Sequence, residues 1–425
     1  MNTDQPTKQT ATGRYPEQPH TASTRAGCYN TLAEQAQKAV GRAAHRTNLL
    51  ALVLFLLLLG VGTVLLFALP EHTFSEKENR DLQTLPSLSS LQNITDGSYA
   101  ASFAHFCQDQ FPLREQLIAV HAAAELALGK GESNDVLCAA DGYLFPEPST
   151  RYDNLAKNLD GISAFSQASQ IDVTLAVAPR SIDVMTAKLP ALFDDTAART
   201  AWTQLQQTLA QSSVDSCDLL TPLKMAAAAD EQVFYRTDHH WTTLGAYYAY
   251  AALLQHMDMQ PYALHDFSRE TASDAFYGTT WSAAGMWWVK PDRLEYFRYP
   301  QDAQFRTEIA YTNLSFAGFY DRSFLEKKDQ YASFLGGNYA LTTITAPQNA
   351  QPRPRLLLIK DSYAHALAPF LARHFDLVLL DLRYYKLSLS DCLSQYPVDR
   401  ILILENMDSL LTASTLSRLG SEYPS

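Results

Sequence analysis

The chain has no excess of basic residues, and this absence limits the partners that it can have. Its 425 residues include 33 Lys and Arg against 45 Asp and Glu, a formal net charge of −12. Nucleic-acid binding depends on a cationic surface that neutralises phosphates, and the sequence contains no basic cluster large enough to supply one. The composition therefore argues against a nucleic-acid partner, and the acidic balance mainly indicates solubility.

Signatures of metal and nucleotide binding are also missing. The cysteines, Cys28, Cys107, Cys138, Cys217 and Cys392, show no CxxC or Cys/His spacing, which argues against a zinc site built on cysteine. The sequence contains no nucleotide-binding glycine loop, so we predict no cofactor. The last four cysteines form either two disulfide bridges, whose connectivity the sequence leaves open, or buried free thiols.

One long segment contains neither a charge nor an amide. Residues 49–69 read LLALVLFLLLLGVGTVLLFAL, and a helix of about 21 residues can cross the hydrocarbon core of a bilayer. A single span in lipid must satisfy its own backbone hydrogen bonds, so a helix is the expected state. A signal peptide would be shorter and end at a small-residue cleavage site, which Phe67-Ala68-Leu69-Pro70 does not resemble. A buried globular helix is rarely so uniformly rich in leucine, and we expect a transmembrane helix.

The charges on either side of this segment predict its orientation. Basic residues lie before it and mostly acidic residues lie after it: Lys38, Arg42 and Arg46 before, and Glu71, Glu76 and Glu78 after. Because positive charge is retained in the cytoplasm, the N-terminus is expected inside the cell. Everything after Pro70 is then extracytoplasmic, in the periplasm or the outer wall space.

Composition divides the rest of the chain into three regions. Residues 1–48 are rich in Thr, Gln, Ala and Ser, which predicts a mostly disordered cytoplasmic tail, with a short amphipathic helix possible at 31–46. Residues 70–133 carry aromatic residues at helical spacing, interrupted at Pro112, and predict a helical stalk or hairpin leading into the main domain. Residues 134–425 form the main domain.

Continuous apolar runs alternate with helical stretches in the main domain. The runs are residues 171–177, 356–359, 377–380 and 400–404, and the helical stretches include 196–209 and 364–373. Such runs are typical of strands buried on both faces, so we predict an α/β domain with a mainly parallel sheet covered by helices on both sides. Sites in such sheets lie at the carboxyl ends of the strands, where Lys360-Asp361-Ser362 follows a run.

Ser362 stands where a strand is expected to turn into a helix. A hydroxyl at such a corner lies near the positive end of the helix dipole, which would stabilise negative charge developing on an acyl oxygen. The alternative interpretation is an ordinary helix N-cap, because Ser and Asp are favoured caps. The tripeptide Asp361-Ser362-Tyr363 alone does not distinguish the two interpretations.

The segment Asp238-His239-His240 contains the other groups that a nucleophilic serine needs. Histidine has the pKa to take the proton of a serine hydroxyl, and a carboxylate fixes the tautomer of that histidine. Asp and His two residues apart on an extended turn project to the same side. A metal site is an alternative, although adjacent histidines in a strand point to opposite faces. An N-cap followed by packed aromatic residues is another.

The segment from Thr237 through Asp238-His239-His240-Trp241-Thr242 to Gly245 resembles the signature of the DHHW proteins, relatives of the alginate O-acetylation proteins within the SGNH hydrolase superfamily. Further blocks along the external chain support the resemblance: Glu78-Asn79-Arg80, Asp109 to Arg114, Asp141 to Phe145, Tyr277-Gly278-Thr279, Gly336-Gly337-Asn338, Lys360 to Tyr363 and Asp381 to Tyr384. The resemblance implies an SGNH-hydrolase-like three-layer sandwich for residues 134–425. It also implies Ser362 as nucleophile, His240 as base and Asp238 as orienting acid, with His239 at a variable position without a catalytic role.

The chain departs from typical SGNH enzymes in two respects. Lys360 replaces the glycine before Asp-Ser, and Asp238 and His240 precede Ser362 in the chain, a permuted order that the alginate relatives share. Because of this lysine, the sequence does not identify the groups that form the oxyanion hole. Its candidate donors are the backbone N–H of Ser362 and groups of Gly337 or Asn338.

Arg383 and Tyr384 are further candidates for binding substrate. As the alternative, Asp381 and Arg383 form a structural ion pair at a strand end.

The resemblance implies a membrane-anchored serine acyltransferase or esterase of the bacterial cell envelope. Its expected activity is O-acetylation of a cell-surface or exported polysaccharide, with acetyl supplied by a separate multi-pass membrane O-acyltransferase. The alternatives are an acetylesterase that uses the same residues and a catalytically inactive glycan-binding or assembly protein on the same fold.

Overall fold

A computed structural model describes residues 22–75, 77–78, 80–88, 92–347 and 351–422. The first 21 residues of the predicted tail and Asn79 of the Glu78-Asn79-Arg80 block lie outside the described residues. The chain divides into two compact units. One unit comprises Met1–Glu71 and Leu88–Pro112, and the other comprises His72–Ser87 and Leu113–Ser425.

The first unit contains the apolar helix. Its helices are α1 (Ala22–Ala68), α2 (Gln92–Thr95) and α3 (Ser98–Asp109). The stretch Val40–Ala68 of α1 is long and apolar enough to cross a membrane, and its leucine side chains are largely exposed rather than packed in a protein core. This stretch begins before residue 49, the predicted start of the span.

Residues 22–48, which the composition placed in a mostly disordered tail, are helical in the structure, and the short helix considered at 31–46 lies within this range. Ala, Gln, Lys, Arg and Glu dominate residues 33–46, and these residue types are strong helix formers. Since the apolar span is already helical, extending it toward the N-terminus requires no new nucleation.

The predicted stalk over residues 70–133 is divided between the two units. α3 belongs to the first unit, whereas α4 (Arg114–Ala127) belongs to the second. The two helices are separated at Pro112, as predicted, and Leu113 there adopts a left-handed conformation with φ of 58°. The indole Nε1 of Trp287 donates to the Glu115 carbonyl at 3.0 Å. The second unit therefore begins before residue 134, the predicted boundary of the main domain.

The second unit alternates strands and helices. Its strands are β1 (Phe74–Ser75), β2 (Arg80–Asp81), β3 (Glu132–Ser133), β4 (Val136–Cys138), β5 (Leu144–Pro146), β6 (Asp172–Ala178), β7 (Asp215–Cys217), β8 (Ser268–Phe276), β9 (Asp292–Arg298), β10 (Arg306–Ile309), β11 (Ser315–Ala317), β12 (Leu341–Thr345), β13 (Arg355–Lys360), β14 (Asp376–Leu380) and β15 (Arg400–Asn406). Its helices after α4 are α5 (Leu155–Ser169), α6 (Ser181–Val184), α7 (Thr196–Ala210), α8 (Leu220–Ala228), α9 (Thr243–His256), α10 (Thr279–Ala284), α11 (Ala364–Leu371), α12 (Leu389–Gln395), α13 (Met407–Thr412) and α14 (Leu419–Glu422).

A mixed sheet of eight strands forms the centre of this unit, in the order β11-β10-β12-β14-β13-β15-β6-β7. The strands from β14 to β7 run parallel to one another. β12, β10 and β11 extend the sheet with antiparallel pairing. The predicted α/β fold with a mainly parallel sheet is confirmed, and the antiparallel edge is an addition to it.

Each face of the sheet carries its own hydrophobic core. Leu356 and Leu358 of β13 pack in a cluster with residues of α8, α9 and α11. Leu357 and Ile359 point to the other face and pack with residues of α5, α12 and α13. Because successive side chains of a strand point to opposite faces, the continuous apolar run supplies both cores. The result is a three-layer sandwich.

The four cysteines that follow the apolar helix are free thiols. Cys217 and Cys392 are buried, and Cys107 and Cys138 are half-buried. Burial raises the pKa of the Cys217 thiol to about 12 and also raises that of Cys392. Both buried thiols are therefore protonated and unreactive near neutral pH.

Candidate active site

The turn after β13 places Ser362 at the carboxyl edge of the sheet, just before α11. The Asp361 carboxylate holds this turn in place. One of its oxygens accepts the amide N–H of Tyr363 at 2.8 Å. The other accepts from the backbone N–H of Asn406 at 2.8 Å and from its side-chain amide at 2.5 Å. Since Asn406 ends the neighbouring strand β15, the serine turn is fixed to the sheet on two sides.

Asp238, His240 and Ser362 form a continuous hydrogen-bonded chain. Nε2 of His240 lies 2.7 Å from Oγ of Ser362, and Nδ1 of His240 lies 2.5 Å from Oδ1 of Asp238. An ionised carboxylate only accepts hydrogen bonds, so Nδ1 carries the proton and Nε2 is free to accept the serine proton. Asp238 and His240 are buried. The structure thus brings together the three residues predicted as a triad, and their catalytic roles stay a prediction.

Thr279 holds the Asp238 carboxylate. The second oxygen of Asp238 accepts from the amide N–H of Thr279 at 2.7 Å and from its hydroxyl at 3.0 Å. Burial alone would raise the pKa of Asp238, but its electrostatic interactions with the adjacent His239 and His240 rings and the hydrogen bonds from His240 lower it well below its usual value. Asp238 is therefore ionised at neutral pH and orients the imidazole.

Trp241 and Tyr363 connect the histidine loop to the serine turn. The indole Nε1 of Trp241, which is fully buried, donates to the carbonyl of Tyr363 at 3.0 Å. In return, the hydroxyl of Tyr363 donates to the carbonyl of His239 at 2.6 Å. These two hydrogen bonds fix the separation of His240 from Ser362. The tryptophan of the sequence signature thus has a positioning role.

Gly245, the last residue of the signature, allows α9 to pack closely behind the site. A Cβ atom at this position would lie 2.2 Å from the carbonyl oxygen of Val233 and 2.9 Å from Cβ of Trp241. Any side chain would push the helix away from the histidine loop. The amide N–H of Gly245 also donates to the hydroxyl of Thr242, the N-cap of α9, at 3.2 Å.

Tyr331 also contacts the triad, and the sequence did not predict it. Its ring stacks on the imidazole of His240, with the ring centroids 4.0 Å apart and the planes inclined by 12°. Its hydroxyl donates to the carbonyl of Ser362 at 3.3 Å. Tyr331 lies in a short 3₁₀ turn, Gln330–Ser333, remote in sequence from both loops, and nothing in its local sequence indicates this contact.

The alternative of a metal site can be judged from the hydrogen bonds. Ligand atoms of Asp238, His239 and His240 lie within 4.8 Å of one another. However, both oxygens of Asp238 accept hydrogen bonds, and both ring nitrogens of His240 are engaged with Asp238 and Ser362. The hydrogen bonds run from Asp238 to His240 and on to Ser362. This arrangement suits proton transfer better than it suits the coordination of a metal ion.

Lys360, at the position of the missing glycine, lies buried beneath the serine turn. Its Nζ lies 2.8 Å from Nε2 of His365, 3.3 Å from Oδ2 of Asp381 and 3.5 Å from Oδ1 of Asn338. The loop that carries Asn338 therefore reaches the end of β13. The backbone N–H of Ser362 makes no hydrogen bond to another described residue, so it is available as an oxyanion donor. The assignment of Gly337 or Asn338 as a second donor stays a prediction.

Arg383 and Tyr384 follow β14. Nε of Arg383 lies 2.9 Å from Oδ1 of Asp381, and Nη2 lies 2.6 Å from Oδ2. The ion pair considered as the alternative is therefore present, in a two-pronged geometry. Tyr384 is 52% exposed and its ring lies beside the Arg383 guanidinium. Substrate binding by Arg383 and Tyr384 stays a prediction.

The buried His365 is expected to make stability depend on pH. Burial lowers the pKa of His365 well below its usual value, and the charge of Lys360 lowers it further. The unfolded chain therefore binds a proton more readily, so the stabilisation is complete above the unfolded pKa of about 6.5 and is lost as the pH falls. We expect unfolding to become easier by about 2 kcal/mol between about pH 7 and pH 5.

Urea unfolding midpoints across this pH range, for wild type and His365→Gln, measure the effect. The variant should show a flatter pH dependence than wild type. An identical slope in His365→Gln and wild type would rule out His365 as the source.

Solved structures of other proteins share the fold. A DHHW family protein from Eubacterium siraeum is 22% identical with a TM-score of 0.56, covering 69% of this chain and 97% of its own. PatB1 from Bacillus cereus is 20% identical with a TM-score of 0.53, covering 66% of this chain and 97% of its own. At these identities the likeness shows the fold alone.

Two curated relatives are named probable alginate O-acetylase AlgJ. The protein from Pseudomonas putida is 28% identical over 181 residues, which cover 39% of this chain and 45% of the relative. The protein from Azotobacter vinelandii is 26% identical over 166 residues, which cover 36% of this chain and 41% of the relative. The chain thus matches less than half the length of these relatives.

The family model for the DHHW protein matches residues 165–380. This range is about half of the chain and includes the Asp238–His240 loop and the Ser362 turn. The chain belongs to the DHHW protein family.

Proposed function

We propose that this protein is a membrane-anchored, extracytoplasmic serine O-acyltransferase that transfers acetyl groups to a cell-surface or exported polysaccharide. The observation that carries the proposal is the contact of 2.7 Å between Ser362 Oγ and His240 Nε2, continued by the 2.5 Å contact of His240 with Asp238. The names of the curated relatives, probable alginate O-acetylases, support the acetyl group and the polysaccharide.

In the first half of the reaction, Ser362 takes the acetyl group from a donor ester or thioester. Oγ forms a bond to the acetyl carbonyl carbon while its proton moves to Nε2 of His240. Asp238 stabilises the resulting imidazolium through the hydrogen bond to Nδ1. The bond to the donor's leaving group then breaks, and His240 returns the proton to that group. The product is an acetyl ester on Ser362.

In the second half, a sugar hydroxyl takes the place of the leaving group. His240, neutral again, accepts the proton of that hydroxyl as its oxygen attacks the acetyl carbon. The bond between Ser362 Oγ and the acetyl carbon breaks, and the proton passes back to Oγ. The sugar leaves as an O-acetyl ester, and the triad returns to its starting state.

In both halves a negative charge develops on the acetyl oxygen. The unpaired backbone N–H of Ser362 and the start of α11 are suited to stabilise it. Asn338, next to Lys360, would supply a further donor. Loss of one such donor typically costs about 10²- to 10³-fold in turnover.

The membrane anchor suggests where the donor comes from. With the N-terminus inside, as the flanking charges predict, the triad lies outside the cytoplasmic membrane. Acetyl must then be delivered across the membrane, and a separate multi-pass O-acyltransferase is the proposed partner.

The test uses the full chain in detergent with a chromogenic acetyl ester, with and without a polysaccharide acceptor. Acetylated polysaccharide is the expected product, formed at the expense of free acetate. If only free acetate is released, whatever acceptor is present, the protein is an esterase and not a transferase. Ester turnover no faster than in buffer would favour a glycan-binding protein without catalysis.

A further inference from the structure

A cavity of about 460 Å³ opens beside the triad. Its wall includes His239 and Tyr363, whose neighbours in sequence are His240 and Ser362, and Thr279, whose hydroxyl bonds to Asp238. The rings of His239 and His240 are in contact, with their centroids 3.9 Å apart. A molecule in this cavity therefore contacts Thr279, His239 and Tyr363, the direct neighbours of the triad residues.

The hydrogen bonds fix the tautomer of His239. Nδ1 of His239 lies 2.6 Å from the hydroxyl of Thr279, and that hydroxyl also lies 3.0 Å from the Asp238 carboxylate. The carboxylate accepts only, so the single hydroxyl proton goes to Asp238, and the threonine oxygen accepts from Nδ1–H of His239. The protein packed around His239 lowers its pKa, so the ring is neutral near pH 7 even though 37% of its side chain is exposed. Nε2 of this neutral ring is left as a hydrogen-bond acceptor.

A second polar group at the cavity wall has no partner. Thr280 is only 3% exposed, lines the cavity, and its hydroxyl makes no hydrogen bond within the part of the chain that the structure describes. Buried hydroxyls in folded proteins are normally paired. The hydroxyl oxygen itself is buried beneath the cavity wall, so it can reach a ligand only by rotating toward the cavity, where it would gain the partner that it lacks.

The charges around the cavity select among such ligands. Among the described residues that line it, the carboxylates are Asp135, Glu147 and Asp408, and the single cationic side chain is Arg180. Arg180 is already paired, with Asp183 at 2.8 Å and Asp408 at 2.9 Å. The lining is therefore net negative, and a bound carboxylate would be repelled.

We propose that this cavity binds the acceptor sugar as an uncharged ring, one of whose hydroxyls donates to Nε2 of His239. The inference rests on the proposed function and adds the substrate class: a neutral sugar rather than a uronic acid. His239, which the sequence resemblance left without a catalytic role, becomes a residue that binds the acceptor and determines its specificity. Rotation of the Thr280 hydroxyl toward the cavity would add a second contact to the same sugar.

A matched pair of amides at position 239 tests the hydrogen bond. In His239→Asn the amide replaces Nδ1 and keeps the contact to Thr279, whereas in His239→Gln it replaces Nε2 and keeps an acceptor toward the cavity. The readout is the ratio of acetylated sugar to free acetate, with a chromogenic acetyl ester as donor and a neutral oligosaccharide as acceptor. Both products arise from the same acetyl-serine, so the ratio does not depend on how fast Ser362 is acylated.

We expect His239→Asn to lower this ratio about tenfold, the effect of one lost hydrogen bond. His239→Gln should stay within about threefold of wild type. Equal ratios in wild type and His239→Asn would overturn the assignment of His239.

Charge specificity is tested with an oligouronate as acceptor. Wild type should acetylate the neutral oligosaccharide and leave the oligouronate largely unmodified. Asp135→Asn combined with Glu147→Gln, both exposed positions, should raise transfer to the oligouronate. Equal transfer to both acceptors by wild type would contradict a neutral-sugar site.

Calorimetric binding separates this inference from the proposed function. The neutral oligosaccharide should bind the full chain in detergent, about tenfold more weakly in His239→Asn, whether or not the chain turns over an ester. Binding without turnover would contradict the proposed acetyl transfer and would still support the sugar site. Turnover with unchanged binding in His239→Asn would contradict the sugar site and would still support acetyl transfer.

Discussion

Ser362→Ala and His240→Ala are each expected to lower acetyl-ester turnover by the full chain by about 10⁴- to 10⁶-fold, the range for removing the nucleophile or base of a serine triad. Ser362→Ala removes the oxygen that carries the acetyl group. His240→Ala removes the only base within hydrogen-bond distance of that oxygen in the described structure. Because the two residues act as one unit, the double variant should be no slower than either single variant.

Matched controls exclude a general effect of the substitutions. Ser394→Ala and His256→Ala replace the same residue types away from the triad, in α12 and at the end of α9. Both should retain wild-type turnover. All variants should show the wild-type circular dichroism spectrum. If a folded Ser362→Ala or His240→Ala retained the wild-type rate, the triad assignment would be wrong.

Gly278→Ala is expected to lower turnover about 10²-fold, because an alanine side chain would displace the orienting carboxylate and misplacements of about 1 Å typically cost that much. A Cβ at position 278 would lie 2.2 Å from both Cβ and Oδ2 of Asp238. Asp238 cannot keep its hydrogen bonds to His240 and Thr279 with that atom present. The crowding should also lower the free energy of unfolding by about 1–3 kcal/mol.

Gly131→Ala is the matched control, since its Cβ would meet only Leu137 Cδ1, at an ordinary 3.6 Å. Steady-state kinetics with the acetyl ester and thermal unfolding of both variants measure the two effects. Wild-type turnover in Gly278→Ala would show that the position of Asp238 is not critical.

The sequence predicted the parts of the fold that have strong local signals. The apolar runs of β13, β14 and β15 are buried on both faces, so almost every residue in them is hydrophobic. The antiparallel strand β12 reads LTTIT, and its partly polar pattern indicates no particular place in a sheet. Pairing of β10 and β12 depends on tertiary contacts that leave little trace in a short sequence.

The same distinction applies to the candidate site. Asp238, His240 and Ser362 carry a recognisable motif, and the structure brings them into contact. In contrast, Tyr331 belongs to no recognisable motif, and only the fold brings its ring onto His240. The sequence showed that Lys360 replaces a glycine but could not show where its ammonium lies, because its partners His365 and Asp381 come from α11 and the end of β14.

The acetyl group on Ser362 is the most direct test of the central claim. The full chain in detergent, mixed with an acetyl ester and stopped by acid within the first turnover, would be digested and examined by mass spectrometry. One acetyl group on Ser362, absent from His240→Ala and removed from wild type on addition of an acceptor sugar, is the predicted result. An acetyl group on another residue, or none while the ester is consumed, would contradict a covalent Ser362 intermediate.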